Sequence, residues 1–318
     1  MKAAVVGAGG LGGYFGSRLV AAGHDVRFVA RGAHLEALRK DGLTVRDPDG
    51  TVSVTPVDAT GDTREAGPCD LVLLAVKTWQ LGPAIEALPP LLGPDTAVVT
   101  LQNGVEAPEQ VAGAVGRAAV LPGVAKVIAQ LDGPGRIRHV GGAGSLVVGE
   151  WDGTGTERVR RLRAALEDAA VPSPAVTDIW AELWAKFLFV VPFGSLGAAA
   201  DGGFGELRSR AGTRRLLADA MREVERLAHA AGVALPADIV DTTLDFVDRQ
   251  PAAGTSSLQR DLLAGTPSEL DAWTGSVVRL GARHGVPTPI HSLLYEVLGV
   301  REDRAAAGAA RPATGTGR

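Results

Sequence analysis

The fold is decided at the start of the chain, in the stretch Lys2-Ala3-Ala4-Val5-Val6-Gly7-Ala8-Gly9-Gly10-Leu11-Gly12. A short apolar run ends directly in a G-x-G-x-x-G turn, and a helical stretch follows it. In such a turn Gly7 permits the tight bend, Gly9 lets a pyrophosphate approach the backbone, and Gly12 lets the helix pack on the strand. The turn is a weak signal in a chain with 42 glycines, but its flanks predict dinucleotide binding through Gly7, Ala8, Gly9, Gly10, Leu11 and Gly12.

The residue after the second predicted strand, 25–30, bears on which dinucleotide binds. No Asp or Glu stands there to bond a ribose 2′-hydroxyl; the strand leads into Arg31. Because a guanidinium offers a planar fork to a 2′-phosphate, we predict NADP(H) as the cofactor. A solvated arginine with no ligand is the alternative.

Polar residues follow two further predicted strands. Lys77 comes after the run 71–76, and Asn103 follows 98–102. The carboxyl ends of parallel strands bind ligands, so Lys77 could hold cofactor phosphate or ribose, and Asn103 could bond nicotinamide, ribose or substrate. The alternatives are a surface lysine and an ordinary Asn-Gly turn.

The 318 residues suggest two domains. The first half alternates strands with helices, with a hairpin predicted at 45–52 and two strands at 136–139 and 145–150, whereas long helices follow Pro174. One of these is amphipathic over 217–231, with Glu223 assigned to its polar face. We therefore predict an α/β protein with an N-terminal Rossmann-type doubly wound parallel sheet over 1–174, an all-α C-terminal domain over 175–300 and a disordered tail over 301–318.

Composition excludes several classes. With 32 Lys+Arg against 36 Asp+Glu the net charge is −4, which argues against a dedicated nucleic-acid binder. Cys69 is the single cysteine, so an intrachain disulfide is excluded, and the histidines show no metal-site spacing. The start lacks the apolar run of a signal peptide, and the apolar stretch 183–200 is interrupted by Lys186 and Pro192. We expect a cytoplasmic soluble protein with a small-molecule substrate and neither a nucleic-acid nor a membrane partner. The helical domain could form a homodimer, which the sequence leaves undecided.

Lys186 is the only charge between Leu183 and Val191. A structural explanation is an ion pair with Glu182, one turn earlier. The functional explanation is general-acid catalysis, because hydride reduction of a ketone needs a proton that the hydride donor does not supply. Glu269 could orient Lys186 or accept a hydrogen bond from a substrate hydroxyl. It also stands third after Thr266 in the pattern of a capping box, which predicts a helix from there to Gly285.

Taken together, these motifs resemble those of the ketopantoate reductase family, in order from residue 1 to about residue 299. The resemblance is carried by Gly7 to Gly12, Arg31, Ala75-Val76-Lys77-Thr78-Trp79-Gln80, Gln102-Asn103-Gly104, Ala181-Glu182-Leu183-Trp184-Ala185-Lys186, Ser256-Ser257-Leu258-Gln259-Arg260-Asp261 and Pro267-Ser268-Glu269-Leu270-Asp271. It implies a Rossmann domain, an all-helical second domain and the NADPH-dependent reduction of 2-dehydropantoate to pantoate, on the route to pantothenate and coenzyme A.

The resemblance also implies roles for individual residues. Lys186 matches the family's catalytic lysine, and Glu269 matches an acid near the nicotinamide ribose and substrate. Asn103 matches a contact to cofactor and substrate, and Ser257 matches a serine that bonds the substrate carboxylate. Cofactor contacts are implied for Gly7 to Gly12, Arg31, Lys77 and, through its backbone, Ala129.

Three positions depart from the family pattern. Val190, Gly194 and Phe204 stand where asparagines are expected. The missing amides favour a bulkier or less polar 2-oxo acid, or another activated carbonyl or imine, although realignment around Pro192 would have the same effect. A non-catalytic NADP-binding regulator and a Rossmann methyltransferase are the alternatives from other classes.

Overall fold

The computed structural model describes residues 1–309, which divide into two compact units. The first comprises residues 1–102 and 106–182, and the second comprises 103–105 and the chain from Leu183 onward. The division falls inside a helix, later than the predicted boundary after residue 174. The first turn of that helix belongs to the first unit because Ile179 packs on Gly149, where an added Cβ would lie 2.9 Å from the Cβ of Ile179.

The first unit contains a nine-stranded sheet. In chain order its strands are β1 (Lys2–Val6), β2 (Asp25–Val29), β3 (Leu43–Arg46), β4 (Val52–Thr55), β5 (Asp58–Thr60), β6 (Leu71–Leu74), β7 (Ala97–Thr100), β8 (Val120–Leu131) and β9 (Arg136–Val148). Their spatial order is β4-β3-β9-β8-β7-β6-β1-β2-β5. The six from β5 to β8 in this order pair in parallel, as in a doubly wound nucleotide-binding fold. The predicted fold class is confirmed.

The remaining pairings extend the parallel core at one edge. The hairpin predicted at 45–52 is present as the antiparallel pair β3 and β4. The two strands predicted between 136 and 150 form one strand instead, because β9 stays paired to β8 through two register shifts. Gly142 and Gly144, at φ of +85° and +66°, lie in this irregular stretch, where bulges absorb the extra residues without ending the strand.

Six helices cover the two faces of the sheet: α1 (Gly10–Ala21), α2 (Gly32–Asp41), α3 (Thr63–Ala66), α4 (Leu81–Glu86), α5 (Ala107–Val115) and α6 (Glu157–Asp168). On one face, Phe15 and Leu19 of α1 pack into a cluster with Phe28 of β2. On the other, Val72 and Leu74 of β6 pack with residues of α4 and α5. The central strands β1, β6 and β7 are therefore buried on both faces, as parallel sheets require.

The second unit is helical. It contains most of α7 (Ile179–Ala200) and then α8 (Phe204–Ser209), α9 (Ala211–Ala230), α10 (Ile239–Arg249), α11 (Ser257–Leu263), α12 (Ser276–His284) and α13 (Pro289–Ala309). A π-helical turn, Asp271–Gly275, leads into α12. Among the described helices, α7 is long and apolar enough to span a membrane, but 67% of its most apolar window is buried, which is typical of a core helix.

Helix α9 presents the predicted apolar stripe to the core and ends as predicted near Gly232, but the placement of Glu223 on its polar face is wrong. Glu223 is 2% exposed and accepts a hydrogen bond from Nδ1 of the fully buried His291 at 2.6 Å. It also accepts from the backbone N–H groups of Ile290 and His291 at the start of α13. The spacing within one helix cannot reveal a partner that lies 68 residues away.

Helix α13 continues through Ala309, beyond the end predicted for the helical domain at residue 300. The stretch after Val300 is rich in alanine, the strongest helix former, and Arg301 donates a hydrogen bond to the carbonyl of Ala198 at 2.7 Å. The remainder of the predicted disordered tail, 310–318, lies outside the described residues.

Candidate active site

The glycine turn lies at the carboxyl edge of the sheet, between β1 and α1. Gly7 has φ +97°, and its N–H donates to the carbonyl of Val29 at the end of β2, at 3.2 Å. On the other side, a Cβ at Gly7 would lie 2.7 Å from the backbone nitrogen of Val76, just beyond β6. The turn therefore lies at the topological switch point of the sheet, beside β1, where the chain continues to opposite sides of that strand. Open α/β sheets bind ligands at such a point.

The glycines of this turn differ in what excludes a side chain. At Gly12 a Cβ would lie 2.0 Å from the carbonyl oxygen of Gly7, and at Gly10 it would lie 2.3 Å from that of Ala129. At Gly9 it would meet nothing within 4 Å. Gly10 and Gly12 are thus required by the protein's own packing, whereas Gly9 faces open space. An open, side-chain-free face at the N-terminus of α1 fits a dinucleotide pyrophosphate.

Two cationic residues follow the neighbouring strands. Arg31 is exposed between β2 and α2, and its guanidinium has no hydrogen bond or ion pair with the described residues. Lys77 is half-buried after β6. The segment that carries Lys77 is held by Gln102, whose Nε2 donates to the carbonyls of Leu74 at 2.9 Å and Val76 at 3.0 Å. This role of Gln102 was not predicted, because nothing in the sequence indicates that its side chain binds the neighbouring strand.

Lys186 lies on a half-buried stripe of α7 that it shares with Ala185, Phe189 and Val190. The opposite side of the helix is buried and carries Leu183, Trp184, Phe187, Leu188 and Val191. The Glu182 carboxylate, one turn earlier, binds Nζ of Lys126 in β8 at 2.6 Å. Lys186 is thus a cation on an accessible face of an otherwise apolar segment.

Two of the other candidates of the second unit, Asn103 and Glu269, lie on segments beside the π-helical turn. A Cβ at Gly104 would lie 3.3 Å from the carbonyl oxygen of Ala272, which places the Asn103-Gly104 segment against this turn. The turn is fixed to α7 by a 2.6 Å hydrogen bond between the buried hydroxyls of Ser195 and Thr274. Single π turns are uncommon and occur frequently at functional sites.

Glu269 lies two residues before the first residue of this turn and is 4% exposed. Its carbonyl accepts from the N–H of Trp273 at 2.9 Å. The predicted capping box is wrong, because the helical segment begins after Glu269 and the Thr266 hydroxyl donates backward to the carbonyl of Asp261. The N–H of Leu270 is bound by Ser268 Oγ instead, at 3.1 Å. The helix ends at His284 before Gly285, as predicted.

Asn103 and Ser257 are half-buried, and neither side chain makes a hydrogen bond within the described part of the chain. Ser257 is the first residue of α11, whose N-cap hydroxyl belongs to Ser256. Both polar groups are therefore available to a ligand.

The three departures from the family pattern have different surroundings. Helix α7 runs through Pro192 without a break, so Val190 and Gly194 keep their helical spacing from Lys186. Gly194 is covered by the ring of Trp273, 2.8 Å from an added Cβ. Phe204 stacks on Phe193 with ring centroids 3.7 Å apart. Only Val190 of the three lies on the half-buried stripe of the lysine. The contact of Trp273 with Gly194 was not predicted, because no sequence pattern links two residues so far apart in the chain.

Comparison with known proteins identifies the same family. The family described as ketopantoate reductase PanE/ApbA matches residues 3–153, and its C-terminal domain matches residues 178–302. A 2-dehydropantoate 2-reductase of Mesorhizobium japonicum is 34% identical, covering 91% of this chain and 94% of its own. The crystal structure of a 2-dehydropantoate 2-reductase from Geobacter metallireducens superposes with a TM-score of 0.89 at 31% identity, covering 94% and 99%. A D-mandelate dehydrogenase bound to NADH and anilino(oxo)acetate has a TM-score of 0.87 at 23% identity, covering 96% and 99%, and shares the fold.

Proposed function

The chain belongs to the ketopantoate reductase family, whose members are oxidoreductases acting on a CH–OH group, and on that premise we propose that it reduces a 2-oxo acid to the 2-hydroxy acid with NADPH. The observation that carries this proposal is Lys186. It is the one charge in the apolar helical segment 183–191, and it lies on the half-buried face of that segment.

The first unit supplies the cofactor-binding residues. The open face at Gly9 would accept the pyrophosphate, with Ala8, Gly10, Leu11 and Gly12 forming the rest of the turn. A second group of contacts comprises Lys77 and the backbone of Ala129, which packs on the turn at Gly10. Arg31, exposed and without a partner among the described residues, would bind the 2′-phosphate that distinguishes NADPH from NADH. When bound, NADPH supplies the hydride.

The second unit supplies the groups that act on the substrate. The Lys186 ammonium polarises the ketone oxygen and donates a proton from Nζ as negative charge develops there. The unbonded amide of Asn103 and hydroxyl of Ser257 are the groups that would orient the substrate. Glu269, largely withdrawn from solvent, would orient Lys186 or accept from a substrate hydroxyl. Asn103 and Glu269 are also assigned contacts to the cofactor.

Two sets of observations bear on the identity of the substrate, and they favour different 2-oxo acids. A relative that is 34% identical is a 2-dehydropantoate 2-reductase, which favours ketopantoate. A second candidate is a 2-oxo acid with a bulkier or less polar side chain. It is favoured by Val190 on the stripe of Lys186, and by the aromatic rings that cover Gly194 and Phe204. None of these surfaces provides an amide to a hydroxylated substrate.

Turnover of a panel of 2-oxo acids tests the proposal. NADPH oxidation would be followed with ketopantoate, 2-oxoisovalerate, phenylpyruvate and phenylglyoxylate, and the product identified as the 2-hydroxy acid. Efficient reduction of ketopantoate supports the first candidate, and preference for the aromatic acids supports the second. Tight NADPH binding with no turnover of any 2-oxo acid would contradict the proposal and favour a non-catalytic regulator or a reductase of other carbonyls or imines.

A further inference from the structure

His34, in the first turns of α2, joins the glycine turn to the hairpin of β8 and β9. Its Nε2 lies 2.8 Å from the carbonyl oxygen of Ala8, and the backbone N–H of Gly135 donates to its Nδ1 at 3.0 Å. These contacts reach 26 and 101 residues along the chain. A half-buried side chain thus links two segments that the fold brings together around the turn.

The two contacts define which nitrogen carries the proton. A backbone N–H can only donate, so Nδ1 must be the acceptor for Gly135. In the neutral ring the proton then lies on Nε2, and this N–H donates to the carbonyl of Ala8. Both interactions are satisfied by one tautomer of His34.

The bond to Ala8 controls the direction of the next peptide group. In a planar trans peptide the C=O and the following N–H point in opposite directions. Because His34 holds the Ala8 oxygen on its own side, the N–H of Gly9 is turned to the other side. This N–H has no acceptor within the described residues, and a side chain at Gly9 would meet nothing within 4 Å. Gly9 also precedes α1, whose N-terminus favours an anion.

We propose that His34 is a positioning residue, which fixes the Ala8–Gly9 peptide so that the Gly9 N–H is aimed at the cofactor pyrophosphate before the cofactor binds. The inference rests on the dinucleotide binding of the proposed function but not on the identity of the 2-oxo acid or on the preference for NADPH. His34 acts through the backbone of the turn and does not itself reach the cofactor.

The two hydrogen bonds can be separated by substitution. In His34→Gln the amide nitrogen reaches the place of Nε2 and keeps the donor to Ala8. In His34→Asn the amide oxygen takes the place of Nδ1 and keeps the acceptor for Gly135, but the side chain is too short to reach Ala8. A purely structural link to the hairpin would depend on the bond that Asn preserves, whereas the proposed role depends on the bond that Gln preserves.

The test is calorimetric binding of NADPH, without substrate, to the full chain carrying His34→Ala, His34→Asn or His34→Gln. The exposed His229 of α9, replaced by Ala, is the control. We expect Kd to rise about tenfold in the Ala and Asn variants, the equivalent of one hydrogen bond, and to stay near the wild-type value in the Gln variant and the control. In turnover, the KM for NADPH rises while kcat and the KM for the 2-oxo acid stay unchanged.

Wild-type affinity in the Asn variant with loss in the Gln variant would overturn the inference, as would wild-type affinity in all three. If the protein prefers NADH, the same comparison made with NADH decides the role of His34, while the proposed NADPH preference fails. If no 2-oxo acid is reduced, the binding comparison still stands. Binding of neither dinucleotide would overturn both proposals.

Discussion

The carboxylate of Glu182 in α7 lies 2.6 Å from Nζ of Lys126 on β8. The Glu-before-Lys spacing within α7 would otherwise account for Lys186 as half of an ordinary helical ion pair. The Glu182 carboxylate also binds Lys126, so it does not serve Lys186 alone. The i, i+4 spacing alone is therefore not a sufficient reason for a cation in the apolar segment 183–191.

Gly9→Ala should separate cofactor binding from folding. No atom lies within 4 Å of the added Cβ, and Gly9 has an ordinary φ of −69°, so the free energy of unfolding should fall by less than about 1 kcal/mol, the cost of alanine at an N-cap. The new methyl group occupies the face offered to the pyrophosphate, so the Kd for NADPH should rise at least about tenfold. Calorimetry and urea unfolding measure the two quantities.

Two control variants frame this prediction. Gly113→Ala in α5 also meets open space and should leave NADPH binding unchanged, with a gain of about 0.5–1 kcal/mol in stability. Gly12→Ala places a Cβ 2.0 Å from the Gly7 carbonyl oxygen and should destabilise the fold itself. Unchanged NADPH affinity in Gly9→Ala would show that the pyrophosphate does not approach this face.

Arg31→Ala should affect NADPH more than NADH. Loss of a charge-assisted hydrogen bond to the 2′-phosphate, worth about 1.5–3 kcal/mol, corresponds to a rise of about 10- to 100-fold in the KM for NADPH. The KM for NADH should be unaffected, because NADH lacks that phosphate. Arg46→Ala, which removes another exposed arginine from β3, is the control. Equal losses for both dinucleotides would contradict a role in selecting the phosphate.

The buried Glu223 should make stability dependent on pH. Burial acts to raise the pKa of this carboxyl, but hydrogen bonds from His291 and from the N–H groups of Ile290 and His291 together lower it. A carboxyl with a lowered folded-state pKa contributes stability that is present above its unfolded pKa and is lost as pH falls through the folded value.

Glu223→Gln should therefore cost about 1.5–3 kcal/mol near neutral pH, because the buried donors of His291 and Ile290 lose a charged acceptor. The difference from wild type should narrow as the pH drops below about 4.3, the usual glutamate value. Urea unfolding at several pH values measures it, with the half-buried Glu225→Gln on the same helix as the control. A difference independent of pH would show that the charge of Glu223 contributes nothing.

The sequence was sufficient for the features that depend on local pattern. The glycine turn, the main strands, the early hairpin and the amphipathic α9 follow from periodicity and turn chemistry, and the structure confirms them. The features that failed depend on partners distant in the chain. Glu182 pairs with Lys126, Glu223 pairs with His291, and Ser268, which replaces Thr266 at the start of the π-helical segment, also donates to Glu302 in α13. No local spacing encodes these choices, since each is decided by tertiary packing.

Val190→Asn tests what selects the substrate. Val190 is half-buried one turn after Lys186, so an amide there could bond a substrate hydroxyl. We expect kcat/KM for ketopantoate, relative to that for phenylpyruvate, to rise about tenfold, the value of one hydrogen bond. Val190→Ala, which removes methyl groups without adding an amide, should not produce this change. An unchanged ratio in the Asn variant would show that the stripe of Lys186 does not contact the substrate side chain.

The central claim is that Lys186 is the general acid, and its most direct test is the kcat of Lys186→Ala and Lys186→Gln with the best 2-oxo acid, measured beside NADPH affinity. A general acid contributes about 10²- to 10⁴-fold, so kcat should fall by that amount while the Kd for NADPH stays unchanged. Glu182→Gln is the matched control, because it removes an exposed ion pair worth at most about 1 kcal/mol and should keep wild-type kcat. Wild-type turnover in both Lys186 variants, or an equal loss in Glu182→Gln, would contradict the claim.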